Sequence, residues 1–573
     1  MEALFQRAGA IINGHTAVLK RKAGDFAAPS LRWPKSRRQE VASTEAATAT
    51  RRWLIVVAAM IGAVLEVLDV SITNVAVPQM MGNLGATLSE IGWVSTGYII
   101  SNVIVLPMTG WLSARFGQKT YFAASIAVFT IASFFCGVSN SLGSLVFWRV
   151  VQGLGGGGLL ATGQVIMLSS FPKAMQGVAT AIFGMGVMVG PSLGPVLGGY
   201  LTDNLSWPWI FFINLPFGIA AVVLTLLFVP DAQRDGVAVG RDEVEQERQK
   251  IAGRPVDILG MALLAVGMGS LQTVLERGQE EDWFQSSLIV VLALTAVLAL
   301  SGFFWWELRT KYPVVDLRVF RDRSLASGTA FGAILGIGLY ATLFLLPVYL
   351  QTSQGYSAYE TGLILLPSAL ISMVSFMVAG PISQKFDPRR VLAVGAVLMM
   401  LGSFGLSRLT TLSGAPDLLW PLLLRGMSMG FLFIPLTLAS LGGLRPEQVA
   451  VGSGMINLSR QLGGSIGIAA LSTLLSRRVE LHQQSVSGHI NAANPATQAW
   501  LQTTQEWFMA HGYSQTAALD ASLMRLGQTV AKQATMLSFD DCFLMIGFAF
   551  MASLPLVALL RRPVGEVDMS KAH

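Results

Sequence analysis

The stretch GMGVMVGPSLGPVLGG, residues 184–199, sets the class of structure, because it lies in an apolar segment long enough to cross a bilayer. Its glycines recur every fourth residue and therefore line one helix face, where a neighbouring backbone can approach closely in lipid. These glycines are Gly186, Gly190, Gly194 and Gly198. Pro191 and Pro195 each remove a backbone donor from the same helix and strain it. The pattern predicts either a tight structural helix pair or a transporter helix that rocks against its neighbour.

The composition is that of a membrane protein. Of the 573 residues, 53% are hydrophobic and 13% are charged, and the mean hydropathy is +0.57. Soluble domains carry about a quarter charged residues, so this chain could not cover a water-exposed surface. The net charge of +6 does not indicate nucleic-acid binding, because the basic residues lie mostly in short segments between apolar spans. The sequence therefore predicts a lipid bilayer, and no nucleic acid, as a partner.

About fourteen apolar spans of roughly 20 residues, the length that a bilayer requires, follow one another along the chain. If the N-terminus is cytoplasmic, the cytoplasmic segments hold about thirty of the 39 lysines and arginines. That bias is the positive-inside signature. Because the number of spans is even, we expect both termini to be cytoplasmic.

The spans and linkers divide the chain into five predicted segments. They are a basic cytoplasmic tail, expected to be disordered, at 1–52; an N-terminal six-helix half at 53–230; cytoplasmic loops with two inserted helices at 231–324; a C-terminal six-helix half at 325–560; and a cytoplasmic tail at 561–573. Two similar basic turns, GWLSARFGQK at 110–119 and GPISQKFDPR at 380–389, support halves with parallel pseudo-symmetry. The extracytoplasmic loop 476–539 is either a helical hairpin or a spacer.

Two acidic residues, Glu66 and Asp69, lie well within the first span. Their spacing of three residues puts them on nearly one helix face. Ionisable groups inside a span are costly and indicate function, so we expect Asp69 to belong to a proton-coupling site. Glu66 would carry protons with it or contact a cationic substrate. The alternative is that one of the two acids only pairs with a buried arginine.

Other polar side chains inside the spans are candidates for a substrate cavity. Arginine cannot titrate usefully, so an arginine there would pair with an acid or hydrogen-bond helix carbonyls. Neutral amides would supply hydrogen bonds in the cavity or simply hold helices together. The candidates are Asn74, Gln152, Arg425, Asn457, Arg460 and Gln461.

Metal, nucleotide and covalent chemistry are not indicated. Cys136 and Cys542 show no metal-binding spacing and are expected to be small buried hydrophobes. The glycines at 153, 155 and 158 fit GxGxxG but follow no predicted strand, and no P-loop is present in the sequence. We expect neither an enzyme nor an ATP-driven pump, and no cofactor, with the proton gradient as the energy source.

Seven motifs follow one another along the chain. They are LDVSITNVAVP at 68–78, GWLSARFGQK at 110–119, RVVQGLGGGG at 149–158, GPSLGPVLGG at 190–199, WIFFINLPFG at 209–218, LPVYLQ at 346–351 and NLSRQLGGSIG at 457–467. In this order they resemble the major facilitator superfamily, in its fourteen-span drug:proton antiporter branch of EmrB/QacA-like multidrug efflux transporters. The resemblance covers nearly all of residues 53–560. It implies an all-α membrane protein with the major facilitator fold, in which two helices are inserted between two six-helix halves.

The resemblance also implies roles for particular residues. Arg149 would take part in proton transfer, by pairing with an acid or by tuning its protonation. A conformational motif would comprise Gly110, Arg115, Gly117, Gly186, Gly190, Pro191, Gly194, Pro195 and Gly198. Ala114 departs from the family pattern, because much of the superfamily has an acidic residue there. Alanine cannot form the charge contact that usually latches the cytoplasmic side.

The function that the resemblance implies is proton-coupled antiport, exporting amphipathic or cationic small molecules by alternating access between the halves. The expected location is the bacterial inner membrane. In a Gram-negative source, a periplasmic membrane-fusion adaptor and an outer-membrane channel would be partners. Two alternatives stay open: an exporter of one endogenous metabolite or lipid, and a non-transporting membrane sensor on the same fold.

Overall fold

The computed structural model describes residues 35–171, 175–230, 256–491 and 494–560, and in these ranges the chain is helical and contains no strand. The long helices are α1 Lys35–Leu84, α2 Trp93–Phe116, α3 Gln118–Gly137, α4 Leu142–Ser170, α5 Gln176–Asn204, α6 Trp209–Phe228, α7 Ile258–Arg277, α8 Ser287–Arg309, α9 Arg323–Ser353, α10 Ala358–Lys385, α11 Pro388–Leu406, α12 Ala415–Leu441, α13 Pro446–Gly488, α14 Pro495–Ala510 and α15 Gln515–Leu559.

Twelve helices in the described ranges are long and apolar enough to cross a bilayer. The sequence predicts two further spans on α5 and α13, which are helices of 29 and 43 residues. All the predicted spans therefore lie on helices. The expected fold class, an all-α membrane protein with about fourteen spans, is confirmed.

The predicted tails have different outcomes. Helix α1 begins at Lys35, so the expectation of disorder is wrong for residues 35–52. Alanine and glutamate are frequent between residues 40 and 50, and both favour helix. Residues 1–34 and the predicted tail 561–573 lie outside the described residues.

The glycine face of α5 packs against α1. A side-chain carbon on Gly190 would lie 2.8 Å from the backbone nitrogen of Leu68, and one on Gly198 would lie 2.9 Å from the Ile72 side chain. Only glycine leaves room for such an approach, which confirms the predicted close packing of this face. The four glycines that face α1 are Gly186, Gly190, Gly194 and Gly198. Helix α5 continues through positions 191 and 195.

Glycines bring helices of the two predicted halves close together at two places. On α5, a side-chain carbon at Gly177 would lie 2.9 Å from the carbonyl oxygen of Gly380 on α10. On α2, a side-chain carbon at Gly110 would lie 3.0 Å from the backbone nitrogen of Val451 on α13. Both pairs thus depend on small residues where the two halves meet.

The inserted helix α7 lies beside α2 and α13. Its Gln272 Nε2 donates to Ser465 Oγ on α13 over 2.7 Å. Towards α2, a side-chain carbon at Gly269 would be in ordinary contact with Ile104, at 3.8 Å. Helix α7 is therefore tied to the C-terminal half by hydrogen bonding and to the N-terminal half by apolar packing.

The predicted extracytoplasmic loop 476–539 is helical over most of its length. Helix α13 continues to Gly488, α14 covers Pro495–Ala510, and α15 begins at Gln515. Ser514 caps α15 by accepting from the backbone N–H of Ala517. The structure therefore favours the helical alternative over the spacer, and we call residues 476–539 the helical arm.

Candidate proton and substrate site

Asp69 on α1 forms a buried ion pair with Arg149 on α4. The distance from Arg149 Nη1 to Asp69 Oδ2 is 2.5 Å, and the two side chains are 1% and 0% exposed. Removing one partner of such a pair leaves an uncompensated buried charge. The structure thus brings together two of the three residues that were predicted to couple protons.

Neutral side chains from three helices complete the hydrogen bonding around this pair. Gln152 on α4 accepts from Arg149 Nη1 over 2.7 Å and donates to Asp69 Oδ1 over 2.9 Å. Asn214 on α6 donates to the same Asp69 oxygen over 3.2 Å. Ser133 on α3 accepts from Gln152 over 2.7 Å. Because four helices contribute groups, a change at Asp69 would alter hydrogen bonds across most of the N-terminal half.

Arg149 is also fixed by α2 and by aromatic rings. Its Nε donates to the carbonyl oxygen of Val94 over 3.0 Å. Its guanidinium lies 4.4 Å from the ring centre of Tyr98 and 5.6 Å from that of Phe211. These contacts therefore fix the parts of the guanidinium that Asp69 does not contact.

Glu66 lies near a break in α4. The first segment of α4 ends at Gly156, turns follow at 157–158, and the second segment begins at Leu159. The backbone N–H of Leu160 donates to Glu66 Oε2 over 2.8 Å, and Asn102 Nδ2 donates to Oε1 over 3.2 Å. The first N–H groups of a helical segment lack helical partners and carry its positive dipole end, so they suit a carboxylate.

A second polar cluster lies where α13 meets α4. Arg460 Nη2 donates to Asn457 Oδ1 over 2.5 Å, and the guanidinium lies 4.7 Å from the ring centre of Phe433. Asn457 Nδ2 in turn donates to Gln164 Oε1 on α4 over 3.4 Å. This cluster therefore spans the two halves, as expected for a substrate cavity between them.

The remaining cavity candidates lie in neither cluster. Asn74 is exposed and accepts from Ser95 Oγ over 3.4 Å. Gln461 is half-buried. Arg425 is buried, and its Nε has no hydrogen-bond partner in the part of the chain that the structure describes.

The turn after α2 requires a glycine. Gly117 has φ +86°, in the region that side chains disfavour, and α3 begins directly after it. Arg115 lies with its guanidinium 5.6 Å from the Trp111 ring centre. The two cysteines, Cys136 and Cys542, are buried and free, as predicted.

Several residues of the site were not predicted from the sequence. Asn214 lies within the quoted motif WIFFINLPFG, where a single amide among apolar residues was an available signal. Ser133 and Asn102 carry no such signal, because serines and asparagines in spans often serve only to bind neighbouring helices. The backbone N–H of Leu160 has no sequence signature at all.

Comparisons with known proteins agree with this fold. Residues 59–468 match the family model described as Major Facilitator Superfamily. The "Multidrug export protein EmrB" of Escherichia coli K12 is 35% identical over 519 residues, covering 89% of this chain and 96% of the relative. The "Fatty acid resistance protein FarB" of Neisseria gonorrhoeae is 34% identical over 500 residues, covering 87% and 94%.

Among solved structures, the proton:xylose symporter XylE bound to 6-bromo-6-deoxy-D-glucose has a TM-score of 0.51 at 15% identity. The similarity covers 84% of this chain and 95% of that one. The human organic anion transporter MFSD10 has a TM-score of 0.52 at 12% identity, covering 87% and 99%. At these identities the similarity shows a shared fold.

Proposed function

The chain belongs to the major facilitator superfamily, a family of membrane transporters rather than enzymes, and on this basis we propose that it is a proton-coupled multidrug antiporter. It exports amphipathic or cationic small molecules by alternating access between its halves. The multidrug proposal is supported by relatives that are named multidrug export proteins and that the chain covers almost completely.

The observation that carries the proton-coupling proposal is the buried pair of Asp69 and Arg149. A proton-driven carrier needs a group inside the membrane that is ionised in one state and neutral in another. Protonation of Asp69 would remove the attraction that joins α1 to α4. Arg149 would then be released from α1, so proton binding at Asp69 would directly weaken the contact between α1 and α4.

Glu66 is proposed as the second proton carrier or as the contact for a substrate cation. Its two oxygens accept from Asn102 and from the backbone of Leu160. Protonation of the oxygen that faces Leu160 would cost that hydrogen bond and would loosen the start of the second α4 segment. The two acids therefore act on the two segments of the same broken helix.

Alternating access requires contacts between the halves that can open. On the side where α4 ends and α13 begins, Ser453 Oγ donates to Gln164 Oε1 over 2.9 Å, and Gln164 Nε2 donates to Thr437 Oγ1 over 3.4 Å. Both bonds are neutral, and each contributes only about 0.5–1.5 kcal/mol. We propose that they help to close the cytoplasmic side in this chain, where Ala114 cannot supply a charged latch.

The proposed location is the bacterial inner membrane, with both termini in the cytoplasm. A periplasmic membrane-fusion adaptor and an outer-membrane channel are proposed partners, and the helical arm is the proposed contact. Support comes from large apolar side chains that the arm leaves exposed: Trp507 at 49%, Leu523 at 48% and Met524 at 68%.

The test of this function is substrate-induced proton movement in proteoliposomes, with a panel of lipophilic cations and weak acids. Responses to several unrelated compounds would support a multidrug antiporter. A response to a single compound would favour the exporter of one metabolite or lipid, to which the name of the fatty acid resistance relative also points. No proton movement with any of the compounds would favour a membrane sensor.

A further inference from the structure

The connection between α8 and α9, residues 310–322, buries its valines, and we call it the strap. Val314, Val315 and Val319 are 3%, 1% and 3% exposed, whereas Arg318 between them is exposed. Connections normally run over the protein surface and leave their side chains in solvent. The one-sided burial therefore indicates that the strap packs on a defined surface of the helices.

Two of these valines lie where the halves meet. Val314 and Val315 belong to one apolar cluster with Met108 of α2, in the N-terminal half, and Met455 of α13, in the C-terminal half. Side chains of the inserted helices α7 and α8 line the same cluster. The first part of the strap thus fills space between the inserted helices and both halves.

The strap reaches the interface between the halves a second time at Val319. The apolar cluster of Val319 contains Leu168 near the end of α4 and Ile456 on α13. Both clusters lie at the end of the molecule where α2 and α4 end and α13 begins. The hydrogen bond between Gln164 and Ser453 lies at this end as well.

Polar contacts fix both ends of the strap away from the N-terminal half. Glu307, in the last turn of α8, accepts through Oε1 from the backbone N–H groups of Val314 and Val315 over 3.2 and 3.3 Å. A carboxylate near the C-terminus of a helix opposes the helix dipole, so α8 itself does not explain Glu307. Its contact with the strap does. At the other end of the strap, Asp322 caps α9.

We propose that the strap is an apolar closure of the transport path, and that it separates from α2 and α4 when this side of the molecule opens. The inference rests on the alternating access of the proposed function, and it gives the inserted helices a role as the support of the strap. Apolar contacts can separate without leaving hydrogen-bonding groups unpaired. Glu307 and Asp322 meanwhile keep the strap on α8 and α9.

The test measures how fast a buried cysteine reacts with a water-soluble maleimide in the purified full chain, without substrate or proton gradient. The reporter is Ala161→Cys on α4. Ala161 is buried, and its carbonyl oxygen accepts from Ser453 Oγ on α13, so the reporter lies between the halves. The native cysteines, Cys136 and Cys542, are buried elsewhere and serve as internal controls. Mass spectrometry distinguishes the three sites.

Val315→Ser should make the reporter react about tenfold faster, because labelling of a buried site follows the population of the open state. The rates at the native cysteines should not change. Glu307→Ala should have the same effect, whereas Glu307→Gln keeps an oxygen acceptor for the two N–H groups and should label slowly. Val291→Ser, at an exposed valine of α8, is the matched control and should change nothing.

An unchanged reporter rate in Val315→Ser would overturn the proposal. Equal acceleration at the reporter and at both native cysteines would also overturn it, because the strap would then only support the overall fold. If Val315→Ser does not fold, Glu307→Ala, which keeps the valines, decides by the same rates. Because neither substrate nor gradient is present, failed antiport with the expected labelling would contradict only the proposed function.

Discussion

At the scale of single residues, the two acids of α1 differ in what they contact. Asp69 contacts a guanidinium, whereas Glu66 contacts an amide and a backbone N–H at a helix break. The sequence predicted both acids, because charges inside apolar spans stand out, and the family resemblance implied the role of Arg149. It did not show which of the two acids pairs with Arg149. Residues 66 and 69 share one helix face, so the pairing depends on how α4 packs against α1.

The ion pair can be tested by a double-mutant cycle. Arg149→Gln leaves Asp69 buried and unpaired, so we expect a loss of about 3–5 kcal/mol in the free energy of unfolding. Adding Asp69→Asn removes the unpaired charge and should restore most of that loss. Thermal unfolding of the purified variants measures both values. A double variant whose loss is the sum of the two single losses would contradict a direct pair.

Among the helices, the close packing of α5 could be predicted from its glycine pattern, because close packing in lipid requires small residues at regular spacing. The sequence could not predict that α1 is its partner, because a glycine face indicates close packing but not which helix packs on it.

The break in α4 could likewise be predicted only in part. The glycines at 153–158 are visible in the sequence, but the carboxylate that receives the freed N–H lies 94 residues away.

The contact between α1 and α5 predicts a sharp difference between two glycines of α5. Gly190→Ala would place a carbon 2.8 Å from the α1 backbone, whereas Gly199→Ala would meet nothing within 4 Å. Overpacking of this kind costs about 1–3 kcal/mol, so Gly190→Ala should lower the thermal midpoint and slow transport. Gly199→Ala should do neither. Similar behaviour of the two variants would show that the contact between α1 and α5 is not needed.

The helical arm gives a second prediction at this scale. Replacing residues 484–535 by a short flexible linker leaves the ion pair between Arg478 and Asp541 in place. If the arm contacts an adaptor, this variant should keep proton-coupled transport in proteoliposomes and lose export across the envelope of intact cells. The measurement is drug accumulation in cells set beside flux in vesicles. Normal export from cells would contradict the proposed role of the arm.

At the scale of the whole molecule, composition and charge bias were sufficient to predict a multi-pass helical protein. They could not reveal how the halves meet. The neutral bonds of Gln164 to Ser453 and Thr437 link residues 289 and 273 positions apart, and such polar residues also serve as ordinary helix contacts.

The proposed role of Asp69 is to couple proton movement to export. The most direct measurement is substrate-induced proton flux in proteoliposomes that contain the wild-type chain, Asp69→Asn, or Asn83→Ala, a control that removes an exposed amide from the same helix. If Asp69 has this role, we expect flux in the wild-type chain and the control, and its loss in correctly inserted Asp69→Asn protein. Unchanged proton flux in Asp69→Asn would contradict it.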